Sequence, residues 1–303
     1  MPPSASSSAE LSEWRARRIL SSTTFLLLVA ILLFGASWPV VKLAMVTTSA
    51  SPLWLAAVRS CLACVTLIIF RGGRLVRPSR QDMPALLAVG VLQLTIFFLL
   101  CHLSLRFVPA GQTAILSNAA LIWVVPLAAL LRQKEPLLRW CAAAVTLAGV
   151  VVIVQPWTIE WDDFNKISSY AALLIAAFAW ACTIVITRLR SPRLNFVDLL
   201  PWSFAISAAI LVFIAFVFDT SVRVPLQAWP AAIFNGMVVA PLGTLCLLEI
   251  SRRLSSMVSA ISFMAIPLTG VVLGKLMLGE VINAELMIGG LLIASGIVVA
   301  SRS

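Results

Sequence analysis

A polar side chain deep in an apolar run is costly unless it faces protein or a water-filled cavity, so such residues mark where a solute could be held. This sequence offers a short set of them: Gln93 in its third apolar run, Asn118 beside Ser117 in the fourth, Thr183 in the sixth and Ser262 in the ninth. Trp38 and Trp180 lie at comparable depth, and their rings can stack on aromatic or cationic groups. Trp180 and Thr183 stand three apart and therefore share a helix face. Each polar member of the set can serve a helix-to-helix hydrogen bond as readily as a solute, and each tryptophan can simply pack.

Pro39, Pro241 and Pro267 sit well inside apolar runs, where each removes a backbone donor and frees a carbonyl one turn back. They are read as gating or kink positions, with a static kink as the plainer alternative. His102, the chain's single histidine, and Glu249 are the candidates for a proton relay. His102 is placed near the end of its run, where an imidazole reaches the interface; Glu249 has Arg252 and Arg253 as ready partners. Lys42 and Arg59 lie toward run ends, and both are expected to snorkel to the interface. No Asp or Glu stands at mid-run depth.

Catalysis is not expected from this inventory. One histidine, no intramembrane acidic pair and no Cys/His set with zinc spacing leave catalytic residues, metal and cofactor all at none. Cys61-x-x-Cys64 lies in an apolar run without the strand–helix context of a redox site, and no phosphate-binding G-x-x-x-x-G-K-[ST] occurs.

The elements that position these residues follow from composition. The chain is 61% apolar and 11% charged, with a mean hydropathy of +1.04, against roughly 45–50% and about 25% in soluble domains. Ten spans are placed near 25–44, 53–70, 84–105, 109–131, 138–154, 168–188, 197–217, 230–250, 257–278 and 285–301, each long enough to cross hydrocarbon about 30 Å thick. The second half repeats the first at an offset of about 146: Leu100-Cys-His-Leu-Ser-Leu105 answers Leu245-Cys-Leu-Leu-Glu-Ile250, and Phe34-Gly35 answers Trp180-Ala181. Five spans per copy is odd, so the second copy must enter the bilayer from the opposite side. The expected fold is an all-α integral membrane protein of ten transmembrane helices in two inverted five-helix repeats. Its parts are a cytoplasmic tail at 1–24, a first repeat at 25–155 and a second, inverted repeat at 156–301.

The formal charge of +10 is an orientation signal. With both termini cytoplasmic, sixteen of the 22 Lys and Arg fall on that side and four on the other, with Lys42 and Arg59 inside spans. The basic balance is thereby accounted for without nucleic acid. Seven of the ten tryptophans, Trp14, Trp54, Trp140, Trp157, Trp161, Trp202 and Trp229, read as interface anchors. The small-residue spacings Ala144-x-x-x-Ala148, Gly270-x-x-x-Gly274 and Gly290-x-x-x-Ala294 let helix backbones approach closely. They serve either packing within the chain or a homodimer seam. The expected partners are a small-molecule substrate and the lipid bilayer.

Taken together, these features resemble the EamA family of the drug/metabolite transporter superfamily, over residues 25 to 301. Ser259-Ala-Ile-Ser-Phe-Met-Ala-Ile-Pro267, then Leu278-Gly279-Glu280, then Gly289-Gly290 and Gly296 is similar to that family's most regular stretch. Phe34-Gly35 resembles its aromatic–glycine pair, and Glu135 corresponds to Glu280. Leu121 departs from the pattern, standing where the second half has Pro267. The resemblance implies an inner-membrane carrier with alternating access that exports amino acids or related metabolites, its cavity lined by spans one, three, four, six, eight and nine. A channel or a subunit of a larger membrane complex is the alternative.

Overall fold

Helices are the expected outcome for such runs, because an apolar surrounding leaves every backbone N–H and C=O to be satisfied within the segment. The computed structural model describes residues 23–131, 136–158, 163–219, 224–254 and 256–301. Most of the tail, Trp14, Glu135 and Trp161, and the side chain of Arg252, lie outside the described residues.

Ten helices run in sequence: α1 (Thr23–Thr48), α2 (Pro52–Phe70), α3 (Met83–Ser104), α4 (Ala110–Leu130), α5 (Leu137–Val154), α6 (Phe164–Leu189), α7 (Phe196–Phe218), α8 (Leu226–Ile250), α9 (Ser256–Phe263 and Ala265–Leu278) and α10 (Ala284–Ser301). Among the described residues, nine are long and apolar enough to cross a membrane, and α9 is divided at Met264. Local chemistry sets several ends. Ser51 accepts from the Trp54 N–H at 3.4 Å with Pro52 in the first turn of α2, and Asp163 accepts from the Lys166 N–H at 3.1 Å to start α6. Gly279, at φ +68°, closes α9 in the left-handed conformation that glycine adopts without strain.

The packing repeats as the sequence does. α2 lies along α7 and α5 along α10, each pairing a helix with its own counterpart. The other contacts come in matched pairs: α1 on α9 answers α6 on α4, α3 on α6 answers α8 on α1, and α2 on α8 answers α7 on α3. Backbone irregularities repeat as well. A π-helical stretch occupies Ala88–Phe97 in α3 and Phe234–Gly243 in α8, and the first residues of the two are 146 apart. In α8 the stretch contains Pro241, which has no N–H to give; at the matching position of α3, the Thr95 hydroxyl donates five residues back to the Gly90 carbonyl at 2.8 Å.

α4 and α9 break at matching points. In α9 the break at Met264 precedes Pro267, whose ring frees the carbonyl of Phe263. Leu121 stands at the matching place in α4, and the helix breaks there without a proline. The Asn118 N–H turns to the Ile115 carbonyl and the Ala119 N–H to Leu116, so the turns tighten to three residues. The Asn118 side-chain amide then donates to the Ala114 carbonyl at 2.7 Å, supplying the partner that the tightened backbone gave up.

Two seams need glycine for close approach. A Cβ on Gly35 would lie 2.6 Å from the Thr269 Cβ, so α1 and α9 meet backbone to backbone, and the Gly35 carbonyl freed by Pro39 faces Gly270. Between α5 and α10, a Cβ on Gly149 would lie 2.6 Å from the Gly289 carbonyl, and one on Gly296 would lie 2.7 Å from that of Ala142. This corrects part of the small-residue reading. Ala144 and Ala148 face outward, and the seam within the chain is built from Ala142, Thr146 and Gly149 instead.

Candidate functional site

Gln93 and Phe97 in the π-helical stretch of α3, and Phe98 just after it, face a cavity that Trp180 and Thr183 of α6 also line. These five line a cavity of about 250 Å³ together with Phe34 and Arg59. Its walls are mostly aromatic and aliphatic. Phe97 and Trp180 meet edge to face at 4.7 Å, and Phe97 and Phe98 do the same at 5.0 Å. The Thr183 hydroxyl donates to the Ala88 carbonyl at 3.1 Å, tying α6 to α3. Its repeat counterpart Ser37 donates to Asn235 Oδ1 at 2.5 Å, tying α1 to α8.

A second cavity of about 300 Å³ lies across Trp180, lined by Asn118, Val124, Arg188 and Phe263. The Trp180 ring borders both cavities. A third recess, of about 590 Å³, holds Arg71, Asp198 and Glu249 and shares Phe196 and Leu248 with the first. The first cavity therefore runs from mid-bundle toward the end that carries Glu249.

The opposite end is shut. There Glu280 accepts from the backbone N–H groups of Ala110 at 2.6 Å and Gly111 at 3.0 Å, capping the positive end of α4. The same carboxylate meets Lys42 Nζ at 3.3 Å, and Lys42 also donates to the Val108 carbonyl at 2.8 Å. Tyr170 on α6 donates to Gln112 Oε1 on α4 at 2.8 Å. Lys42 thus does not snorkel, because a carboxylate and a carbonyl within the protein take its donors.

The Glu249 end is tied at its rim. Asp82 accepts from the Ser79 hydroxyl at 2.6 Å, and from the backbone N–H groups of Ser79 at 2.8 Å, Arg193 at 2.7 Å and Leu194 at 3.0 Å. The Ser79 hydroxyl first, then the Leu194 N–H, hold its carboxyl down to about 2. Arg71 pairs with Asp198 beside it. These bonds clamp the α2–α3 loop to the α6–α7 loop.

Gln93, Trp180 and Thr183 are brought together in the first cavity, and Asn118 is in the second. Trp38 and Ser262 line neither. The Trp38 ring is buried against Phe97, Phe98 and His102, while the Ser262 hydroxyl donates to its own helix at Val258. His102 does not reach the interface: it is buried, with Nδ1 2.7 Å from the Phe98 carbonyl. Glu249 meets Arg253 at 2.7 Å near the far end of α8, so the two relay candidates sit apart.

One residue of the cavity was misjudged from sequence. Arg59 is 3% exposed and does not snorkel; its guanidinium lies 3.6 Å over the Phe98 ring. Its place toward a run end suggested the interface, and nothing in the sequence signalled that its face of α2 turns inward.

Two successive stretches, residues 21–155 and 167–302, match the model of the EamA-like transporter family. The chain belongs to that family. It is a transporter, not an enzyme, and its two family domains coincide with the two five-helix halves. It is 26% identical to the pseudopaline exporter CntI of Pseudomonas aeruginosa, covering 94% of this chain and 98% of that one. It is 24% identical to a probable amino-acid metabolite efflux pump of Salmonella typhimurium, over 90% and 92% of the two chains. The uncharacterized transporter YoaV of Bacillus subtilis matches at 20% identity over 88% and 92%. A solved crystal structure superposes with a TM-score of 0.59 at 22% identity, covering 92% of this transporter and 97% of that chain, and shows the shared fold.

Proposed function

We propose that this transporter exports small metabolites, amino acids or related zwitterions, across the inner membrane by alternating access. The carrying observation is the 250 Å³ cavity that reaches mid-bundle from one end while the Lys42–Glu280 cluster shuts the other. That volume suits a solute below the drug-sized ligands that fill on the order of 300–1,000 Å³. Arg71, Arg188, Arg190 and Arg193 lie toward the open end, which supports a cytoplasmic mouth with both termini on that side and the second repeat inverted. A mouth on that side is where an exporter loads.

Gln93, Trp180 and Thr183 contact the solute in this reading, and Asn118 contacts it once the second cavity is reached. Pro39, Pro241 and Pro267 mark where helices α1, α8 and α9 bend as the ends exchange. The efflux roles named for the Salmonella and Pseudomonas relatives support the direction and the amino-acid-like class.

The test is mass spectrometry of the medium from cells expressing the wild-type chain, beside cells expressing Trp180→Ala at matched membrane level. A metabolite enriched only by the wild-type chain is the expected result. A wild-type medium no different from that of cells without the protein would remove the export reading, and equal enrichment by both proteins would remove Trp180 from the site.

A further inference from the structure

Arg59 stands out as a buried cation with no anion beside it. Its Nε and Nη1 are buried without any hydrogen-bond partner, and it is 3% exposed. None of the described acidic side chains lines its cavity. The Phe98 face at 3.6 Å is the one favourable electrostatic contact shown for it, and such a contact offsets only part of the cost of burying a charge. Removing a guanidinium from water is costly unless a partner and further hydrogen bonds compensate. The repeat sharpens this point: the matching positions in α7 are Ala205 and Ile206, so the charge is not part of the doubled scaffold.

We propose that Arg59 is the carboxylate anchor of the transport site, and that the transported solutes carry one carboxylate on an apolar or aromatic body. This rests on the export reading and narrows it. A planar guanidinium presents parallel donors that match a carboxylate, along its Nε–Nη2 edge and along its Nη1–Nη2 edge, and each of these edges of Arg59 includes one of the two unpartnered nitrogens. Phe97, Phe98 and Trp180 form the walls against which the remainder of the solute lies. Among the described residues the cavity holds one cation, which balances one negative charge; a phosphate monoester, near two charges at pH 7, would be left with an excess. Among the described residues an ammonium finds no carboxylate lining the cavity, so a zwitterion is held there by its carboxylate.

The experiment measures thermal unfolding of the purified full chain against four probes: 3-phenylpropanoate, L-phenylalanine, phenethylamine and benzyl phosphate. Stabilisation by the two carboxylates, and by neither of the others, is the expected result. Arg59→Gln then weakens the carboxylate response at least tenfold, and Arg59→Lys retains part of it. Stabilisation by phenethylamine as strong as by 3-phenylpropanoate overturns the proposal, as does an undiminished response in Arg59→Gln. Preference for benzyl phosphate overturns the carboxylate class. If the wild-type chain exports a metabolite into the medium yet responds to no probe, the anchor fails and the export reading stands. If nothing is exported while the carboxylate response depends on Arg59, the export reading fails and the anchor stands. If Arg59→Gln does not fold, Arg59→Lys carries the test of the residue, and the probe pattern on the wild-type chain still tests the carboxylate class.

Discussion

The carboxylate of Glu280 lies 3.3 Å from the ammonium of Lys42, joining the loop before α10 to α1 while it also caps α4. Three elements that must separate for this end to open are held by one side chain. Charge-assisted hydrogen bonds of this kind contribute about 1.5–3 kcal/mol each. Glu280→Gln keeps the shape and removes the charge, so the closed end should open more often. In a chain retaining Cys101 as its sole cysteine, buried in the last turn of α3, labelling by an impermeant maleimide from the Glu280 end should rise about tenfold. Unchanged labelling would show that the cluster does not hold the gate.

Trp180 lines both the first cavity and the second, as does Ile184. Trp180→Ala merges them and removes the edge-to-face contact with Phe97, so a solute is no longer positioned between the two. Export should fall at least tenfold with membrane insertion unaffected. Thr183→Val, which loses the bond to Ala88 but keeps the shape, should cost less, within about 1 kcal/mol of stability.

Asp82 gives a pH dependence of definite sign. Its folded carboxyl is held at about 2, below the roughly 3.9 of an unfolded chain. Its contribution is fully present above about pH 4 and declines as pH falls toward 2, because the unfolded chain takes up the proton first. Thermal unfolding of the detergent-solubilised chain between pH 5 and 2 should show this decline, and Asp82→Asn should flatten it. An equal slope in both proteins would assign the effect to other carboxylates.

The α5–α10 seam predicts opposite outcomes for neighbouring small residues. A Cβ on Gly289 would lie 2.7 Å from the Gly149 carbonyl, so Gly289→Ala should destabilise by about 1–3 kcal/mol through overpacking. Ala144→Leu, on the outward face of α5, should stay within about 0.5 kcal/mol. Both are read from unfolding midpoints in the same detergent.

The spans and the repeat were legible because burial of backbone polar groups leaves long apolar runs few options, and the 146-residue offset recurs down to the helix breaks. The site was only partly legible. Gln93, Trp180 and Thr183, singled out because polar or large aromatic residues at mid-span are few, line the first cavity; Trp38 and Ser262 met the same criterion and line neither cavity. Depth along a span can be counted from sequence, but an evenly apolar helix carries no stripe to tell which face turns inward. Arg59 and His102 were misplaced for that reason. The α4 break was missed for another: it is made by Asn118 and tightened turns, without the proline that signals its partner in α9.

The paired π stretches also bear on ancestry. Such a turn lodges an additional residue in a helix, and Ala88–Phe97 and Phe234–Gly243 carry theirs at the same place in each half. A single five-helix ancestor that already had the wide turn, and was then duplicated, accounts for both. The side chains filling them have since parted, Gln93 from Val239 and Phe97 from Gly243. The irregular backbone has outlasted the residues that first occupied it.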